Sequence, residues 1–92
     1  MPIIASINGI AAGAGSVIAL AADFRILARS ASFAFLFTKV GLAGADMGSA
    51  YLLPRMIGLS RATELLMLGE TISSSTADAL GLAYKVVEDD HL

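Results

Sequence analysis

The chain contains no cysteine and only one histidine, His91, which is the next-to-last residue. Without thiols it can form neither a disulfide nor a thiolate metal site. One imidazole is also too few for a histidine-based metal site or for a catalytic triad within the chain. The composition therefore predicts no metal centre.

Charged residues are scarce, at 15% of the sequence with a formal net charge of -2, and the six basic ones are scattered. This pattern offers no electrostatic footprint for nucleic acid and no polybasic patch for a membrane surface. The longest apolar run, residues 7–22, is interrupted by Asn8 and three glycines, and it is shorter than the ~20 residues that a membrane span requires. No basic segment precedes it, as a secretory signal would need. We therefore expect a cytoplasmic protein with no nucleic-acid or membrane partner.

Apolar residues, by contrast, make up 57% of the 92 residues, and nine glycines come in addition. Soluble domains average about 45–50% with glycine included. A chain this short forms one domain at most and buries only about 60% of the surface that its unfolded form exposes. Its polar residues are too few to coat such a domain. Either the segment forms the interior of a larger protein, or partner subunits cover its surface.

The first half of the sequence alternates short apolar runs with glycine-rich turns. Patterning and composition predict a strand over residues 3–7, a helix over 16–22, and strands over 24–27 and 32–37. The turn Gly13-Ala14-Gly15 precedes the helix. A glycine-rich loop, residues 41–48, follows the last of these strands and carries one acid, Asp46.

Helix start and stop signals dominate the second half. Three helices are predicted, each ended by a glycine: residues 49–57 before Gly58, 61–68 before Gly69, and 73–80 before Gly81. Ser60 and Ser73 are the predicted N-caps of the last two, and Pro54 should distort or shorten the first. A final strand is predicted over residues 85–87. The predicted fold class is α/β, with strands first and helices later.

The turn Gly13-Ala14-Gly15 is suited to bind an anion. Its glycines let a ligand approach the backbone closely, and the first amides of a helix lack internal partners and lie at the positive end of its dipole. Walker, dinucleotide-binding and serine-hydrolase patterns are absent from the sequence. The anion could thus be a phosphate, a carboxylate or a developing oxyanion. A turn that only lets the helix pack close to the strand would look the same.

Five segments, in order along nearly the whole chain, resemble motifs of the crotonase superfamily, the enoyl-CoA hydratase/isomerase family. The first is P-I-I-A-S-I-N-G-I-A-A-G-A-G, which is similar to the strand and glycine turn of the family signature. Each motif is weak alone, whereas five in order are specific. They occupy residues 2–15, 22–26, 33–41, 53–58 and 73–87.

The resemblance implies a crotonase-like spiral of ββα units that assembles into homo-trimers or hexamers and acts on an acyl-CoA thioester. Coenzyme A is part of the substrate, and no other cofactor is implied. In the family, two backbone N–H groups hold the thioester carbonyl oxygen and stabilise an enolate. One of these donors corresponds to the amide of Ala14, with Gly13 and Gly15 as adjacent substrate-binding residues. Residues 1–92 would be the central and C-proximal part of the core domain.

Two departures from the family pattern bear on the reaction. The N-terminal strand that carries the other oxyanion donor and the C-terminal helices of the family have no counterpart in the chain, so a partial fold with little turnover of its own is expected. Val17 and Phe37 occupy the positions at which hydratases carry glutamates, and neither can transfer a proton. Both are predicted to contact substrate, and hydration by a two-glutamate route is not expected.

Asp46 is the remaining candidate for proton transfer, because it lies close to the position of an aspartate in some isomerases and synthases of the family. An aspartate beside a helix start is equally suited to cap that helix, so catalysis and capping are both open. The sequence thus predicts an acyl-CoA lyase or isomerase that uses Asp46 and the Ala14 amide. The alternative is a catalytically inactive family member that binds acyl-CoA or serves assembly.

Overall fold

The structure, a computed structural model, describes residues 1–35 and 48–92. Its strands are short, and helices come between them along the chain. In order, the elements are β1 (Ile4–Ile7), β2 (Ile10–Ala12), α1 (Ala14–Ala21), β3 (Phe24–Ala28), β4 (Ser32–Ala34), α2 (Ser49–Ile57), α3 (Leu59–Leu68), β5 (Thr71–Ser73), α4 (Ser74–Leu80) and β6 (Lys85–Val87), followed by a 3-10 turn (Asp89–His91). The α/β composition that the sequence predicts is confirmed.

The strands form two three-stranded sheets, and β1 to β4 alternate between them along the chain. The first, in the order β1-β3-β6, is all parallel, and the second, in the order β2-β4-β5, pairs β2 parallel and β5 antiparallel to β4. Residues 8–9 lead from β1 into β2, and residues 29–31 lead from β3 into β4. The consecutive strands β1 and β2 therefore cross from the first sheet to the second, and so do β3 and β4. Helix α1 separates these two pairs, as in a ββα spiral.

One hydrophobic core connects both sheets with the helices. Its largest fully buried apolar side chains are Leu20, Leu27, Phe33, Phe35, Leu53 and Leu82. Burying a side chain of this size contributes roughly 1.5–3 kcal/mol relative to leaving it in water. The rings of Phe33 and Phe35 lie nearly parallel, with an interplanar angle of 7° and centroids 6.3 Å apart. They fill the core side of β4 and of the residue that follows it.

Several large apolar side chains nevertheless remain exposed. They include Ile3, Ile4, Ile10, Ile18, Leu59, Met67, Leu68 and Tyr84. Monomeric soluble proteins rarely expose wide apolar patches to water. This surface is therefore what we expect of a segment that further protein covers, whether from the same polypeptide or from partner subunits. Within the two described ranges, no helix has the length and apolar character to cross a bilayer.

Glycines end the helices as predicted. Gly69 and Gly81, at the ends of α3 and α4, adopt the left-handed conformation with φ of 67° and 92°, which glycine enters without steric penalty. The predicted N-cap Ser73 is also confirmed, because its hydroxyl accepts a hydrogen bond from the N–H of Thr76 at 3.2 Å. Pro54 does not shorten α2, whose bounds are those predicted.

Three local predictions are wrong. Ser60 is not an N-cap, since α3 already begins at Leu59, directly after Gly58 with its φ of 88°. Helix α1 begins at Ala14 rather than at Ser16, because the glycine turn itself supplies the first helical residues. Strands β2 and β5 are missing from the prediction, since three residues each are too few to show a period.

Candidate functional site

Gly13 connects β2 to α1 in a backbone conformation that favours glycine strongly. Its φ of 55° and ψ of -124° lie outside the regions that residues with a side chain adopt readily. No described atom would come within 4 Å of a Cβ added at this position. The need for glycine here is therefore conformational rather than spatial.

Both polar groups of the Gly13 backbone are hydrogen bonded. Its N–H donates to the carbonyl of Ala34, the last residue of β4, at 3.0 Å. Its carbonyl accepts from the hydroxyl of Ser16 at 2.6 Å and from the N–H groups of Ser16 and Val17 at 3.1 and 3.4 Å. The turn is thereby fixed between the second sheet and the first turn of α1.

The next two amides, those of Ala14 and Gly15, belong to the first residues of α1, and both residues are exposed. Neither N–H donates to an acceptor within residues 1–35 or 48–92. The first turn of the helix carries no acidic side chain that would offset the dipole. Free amides at a helix start attract an electron-rich oxygen. The turn predicted from sequence therefore has the exposed donors that anion or oxyanion binding requires.

Of the other predicted site residues, Val17 is the one that lies in the described part of the chain. Val17 is only 5% exposed and belongs to the hydrophobic core, so its contact with substrate stays a prediction. Phe37 and Asp46 lie outside the described residues. The residues that are described contain no group of three or more metal-ligating side chains.

Two polar residues that the sequence pattern did not indicate hold α1 at its two ends. Ser16 is fully buried and bonds the Gly13 carbonyl. Arg25, on β3, donates from Nε to the carbonyl of Leu82 at 2.7 Å and from Nη1 to that of Ala22, just after α1, at 2.8 Å. Burial lowers the pKa of its guanidinium. The available sequence signal was a lone polar residue inside an apolar element.

Alanine substitutions at two glycines of the turn should have opposite effects on stability. Gly13→Ala should lower the free energy of unfolding by about 1–3 kcal/mol, because an L-residue is strained at a φ of 55° and ψ of -124°. Gly15→Ala should raise it by up to about 1 kcal/mol, since Gly15 is helical with open space around it and alanine is the better helix former. Urea unfolding followed by circular dichroism measures both. Equal effects would contradict the strain assigned to position 13.

Comparison with known proteins places the whole chain in one family. The sequence profile of the family Enoyl-CoA hydratase/isomerase matches residues 1–92. The chain is 45% identical over 91 residues to the 1,2-epoxyphenylacetyl-CoA isomerase of Escherichia coli (strain K12), which covers 99% of this chain and 34% of that protein.

Solved structures agree with this result and confirm a partial crotonase-like fold. A Streptomyces coelicolor A3(2) protein assigned as an enoyl-CoA hydratase matches with a TM-score of 0.95 at 57% identity, over 97% of this chain and 32% of that one. A Thermobifida fusca YX protein with the same assignment, in complex with acetoacetyl-CoA, matches with a TM-score of 0.89 at 36% identity, over 96% of this chain and 34% of that one. The chain thus spans about a third of the length of each relative. Because the family profile covers all of its residues, the protein belongs to the enoyl-CoA hydratase/isomerase family.

Proposed function

We propose that the chain supplies one donor of an oxyanion hole, in which the N–H of Ala14 binds the thioester carbonyl oxygen of an acyl-CoA. The observation that carries this proposal is the pair of exposed amides at Ala14 and Gly15, which donate to no acceptor in the described part of the chain. When the carbon next to the thioester loses a proton, negative charge builds up on that oxygen. A preorganised N–H donor stabilises the charge by roughly 2.7–4 kcal/mol.

The substrate class we propose is an acyl-CoA thioester. Family membership supports it, as does the acetoacetyl-CoA bound to the T. fusca relative. Coenzyme A enters as part of the substrate, and we propose no separate cofactor. The second N–H donor belongs, by the family resemblance, to a strand N-terminal to this segment. We further propose that the complete enzyme works in the cytoplasm as a homo-trimer or hexamer, in which other protein covers exposed side chains such as Ile4 and Ile10.

The reaction we propose is a proton transfer through an enolate, as in an isomerase, rather than hydration by two glutamates. Val17 stands at one of the glutamate positions as an apolar core residue, and Phe37 at the other is equally unable to transfer a proton. We assign the proton transfer to Asp46, and substrate contacts to Gly13, Gly15, Val17 and Phe37. The apolar Val17 also favours the alternative, a family member without catalysis that binds acyl-CoA or serves assembly.

A hybrid enzyme, in which residues 1–92 replace the matching third of the E. coli isomerase, tests this proposal. The hybrid supplies the protein that surrounds this segment in its relative. We expect it to exchange the α-protons of butyryl-CoA with D2O, because exchange needs only enolate formation and reprotonation, and mass spectrometry follows it. The isolated chain should exchange them little, since it holds one of the two donors.

In the same hybrid, Asp46→Asn should lower the exchange rate by at least about 100-fold, the smallest effect usual for a general base. Binding of butyryl-CoA, measured by calorimetry, should stay unchanged. Asp23→Asn is the control, because the Asp23 carboxylate has a structural partner, the N–H of Ile3 at 2.7 Å. A folded hybrid that binds butyryl-CoA but exchanges no protons would support the inactive alternative. Unchanged exchange in Asp46→Asn would remove Asp46 from the mechanism, and the N-cap of α2 is Gly48 in any case.

A further inference from the structure

Ser16 is one of two buried polar residues in the described part of the chain, and it contacts the turn that carries the proposed oxyanion donor. It is 0% exposed, in a helix whose other buried residues, Val17, Ala19 and Leu20, are apolar. A buried hydroxyl is unfavourable unless it is hydrogen bonded. That of Ser16 donates to the Gly13 carbonyl at 2.6 Å, toward the short end of the range for such bonds.

The Gly13 carbonyl belongs to the same peptide unit as the N–H of Ala14. A peptide unit is planar and trans, so its carbonyl oxygen and its N–H point in opposite directions. Three donors hold the oxygen on the helix side of the turn, namely the Ser16 hydroxyl at 2.6 Å and the N–H groups of Ser16 and Val17 at 3.1 and 3.4 Å. Holding the oxygen there directs the Ala14 N–H away from the helix, toward the exposed side of the turn.

The Ser16 hydroxyl adds what the backbone alone does not supply. The two backbone donors are those of any helix start, and the bond from Val17 is long at 3.4 Å. Gly13 has no side chain to restrain rotation of its peptide. The hydroxyl restrains that rotation, and it also polarises the peptide, because hydrogen bonds in a chain strengthen one another.

We propose that Ser16 is a positioning residue for the oxyanion donor: by holding the Gly13 carbonyl, its hydroxyl sets the direction and the strength of the Ala14 N–H. This inference rests on the proposed function, because the Ala14 N–H matters for catalysis only if a thioester oxygen binds there. Ser16 itself is buried beneath the turn, so the role we assign to it is exerted through the Gly13 peptide and not by contact with substrate.

A first test needs no ligand. Residual dipolar couplings of the ¹⁵N-labelled chain report the direction of the Ala14 N–H, and Ser16→Ala should change it. The matched control is Ser74→Ala, because Ser74 is 2% exposed and its hydroxyl donates to the Arg29 carbonyl at the same 2.6 Å. This control should leave the Ala14 coupling unchanged. An Ala14 coupling that is the same in Ser16→Ala and in the unaltered chain overturns the inference.

A second test measures the effect on substrate in the hybrid enzyme, which keeps the inference testable if the isolated variant fails to fold. The stretching frequency of a ¹³C-labelled thioester carbonyl in butyryl-CoA falls when a donor polarises it. Ser16→Ala should reverse part of this fall in frequency. It should also lower kcat for α-proton exchange by about tenfold, which is the equivalent of one net hydrogen bond, and leave KM unchanged. Ser16→Cys should restore part of the frequency shift and part of kcat, since a thiol is a weak donor.

Two different results separate the failure of this role from the failure of the proposed function. A labelled carbonyl whose frequency does not fall in the unaltered hybrid contradicts the proposed function. A frequency that falls equally in the unaltered hybrid and in Ser16→Ala contradicts only the role of Ser16. An effect confined to KM contradicts that role as well, because an oxyanion donor acts on the transition state.

Discussion

Replacing Ala14 by proline should lower α-proton exchange in the hybrid enzyme by about 100- to 1000-fold, while the helix that begins there stays folded. Proline removes the one N–H that we assign to the thioester oxygen, and loss of a single oxyanion donor reduces kcat by about that factor. Binding of butyryl-CoA should weaken far less than turnover, because the ground-state carbonyl carries little charge.

The fold should tolerate this proline. Ala14 is the first residue of α1, where proline is favoured because the N–H has no partner in the helix. The preceding Gly13, with φ of 55° and ψ of -124°, adopts the mirror image of the extended conformation that residues before proline prefer. Glycine has no chirality and reaches both forms equally well. We therefore expect the free energy of unfolding to change by less than about 1 kcal/mol.

Leu59 offers the matched control for Ala14→Pro. It is the first residue of α3, is 74% exposed, and also follows a glycine with positive φ, Gly58 at 88°. Leu59→Pro removes a helix-start N–H from another helix and should leave proton exchange unchanged. Circular dichroism and urea unfolding show whether both hybrids are folded. Full activity of a folded Ala14→Pro hybrid would remove this amide from the mechanism.

Arg25→Met should lower the free energy of unfolding of the chain by roughly 3 kcal/mol, because hydrogen bonds to a charged donor contribute about 1.5–3 kcal/mol and several part-buried carbonyls lose this donor together. The carbonyls that would lose a donor are those of Leu82 at 2.7 Å, Ala22 at 2.8 Å, Leu20 at 3.2 Å and Ala19 at 3.4 Å. Three of these four lie at the C-terminal end of α1. We expect this end to fray, which amide hydrogen exchange would detect.

Arg29→Met is the control for this substitution. Arg29 directly follows β3, the strand that carries Arg25. Its Nε lies 2.9 Å from Oε1 of Glu88, but both side chains are mostly exposed, at 59% and 61%. Ion pairs of this kind contribute only about 0–1 kcal/mol. Urea unfolding of the two variants should therefore give clearly different midpoints. Equal midpoints would show that the carbonyl contacts of Arg25 contribute no more than a surface ion pair.

Local chemistry explains which parts of the fold could be predicted from the sequence. Gly69 and Gly81 end helices because glycine alone enters the left-handed conformation freely, and this holds in any context. Ser73 caps α4 because it is the last residue of β5 and keeps an extended backbone directly before the helix. Ser60 also precedes a predicted helix, but α3 already begins at Leu59, with Gly58 as its N-cap. The difference between the two serines lies in the backbone before them.

The support of the candidate site was harder to predict, because it depends on contacts between distant residues. The glycine turn and the Ala14 amide follow from residues adjacent in sequence. The bond from Gly13 to Ala34 and the bond from Arg25 to Leu82 join segments whose proximity only the sheet topology creates. Ser16 looked like an ordinary small helix residue, since nothing in its neighbours indicates that its hydroxyl is buried. The parts played by Asp46 and Phe37 stay predictions.

The hydrogen bond from the Gly13 N–H to the Ala34 carbonyl, at 3.0 Å, ties the glycine turn mechanically to the interior. Ala34 stands between Phe33 and Phe35, both 0% exposed. A cavity opened by trimming either ring would let this strand end relax, and the Ala14 amide, which we propose as the oxyanion donor, would move with it. Under this proposal, the reaction rate could be tuned from inside the protein, by the buried rings on either side of Ala34.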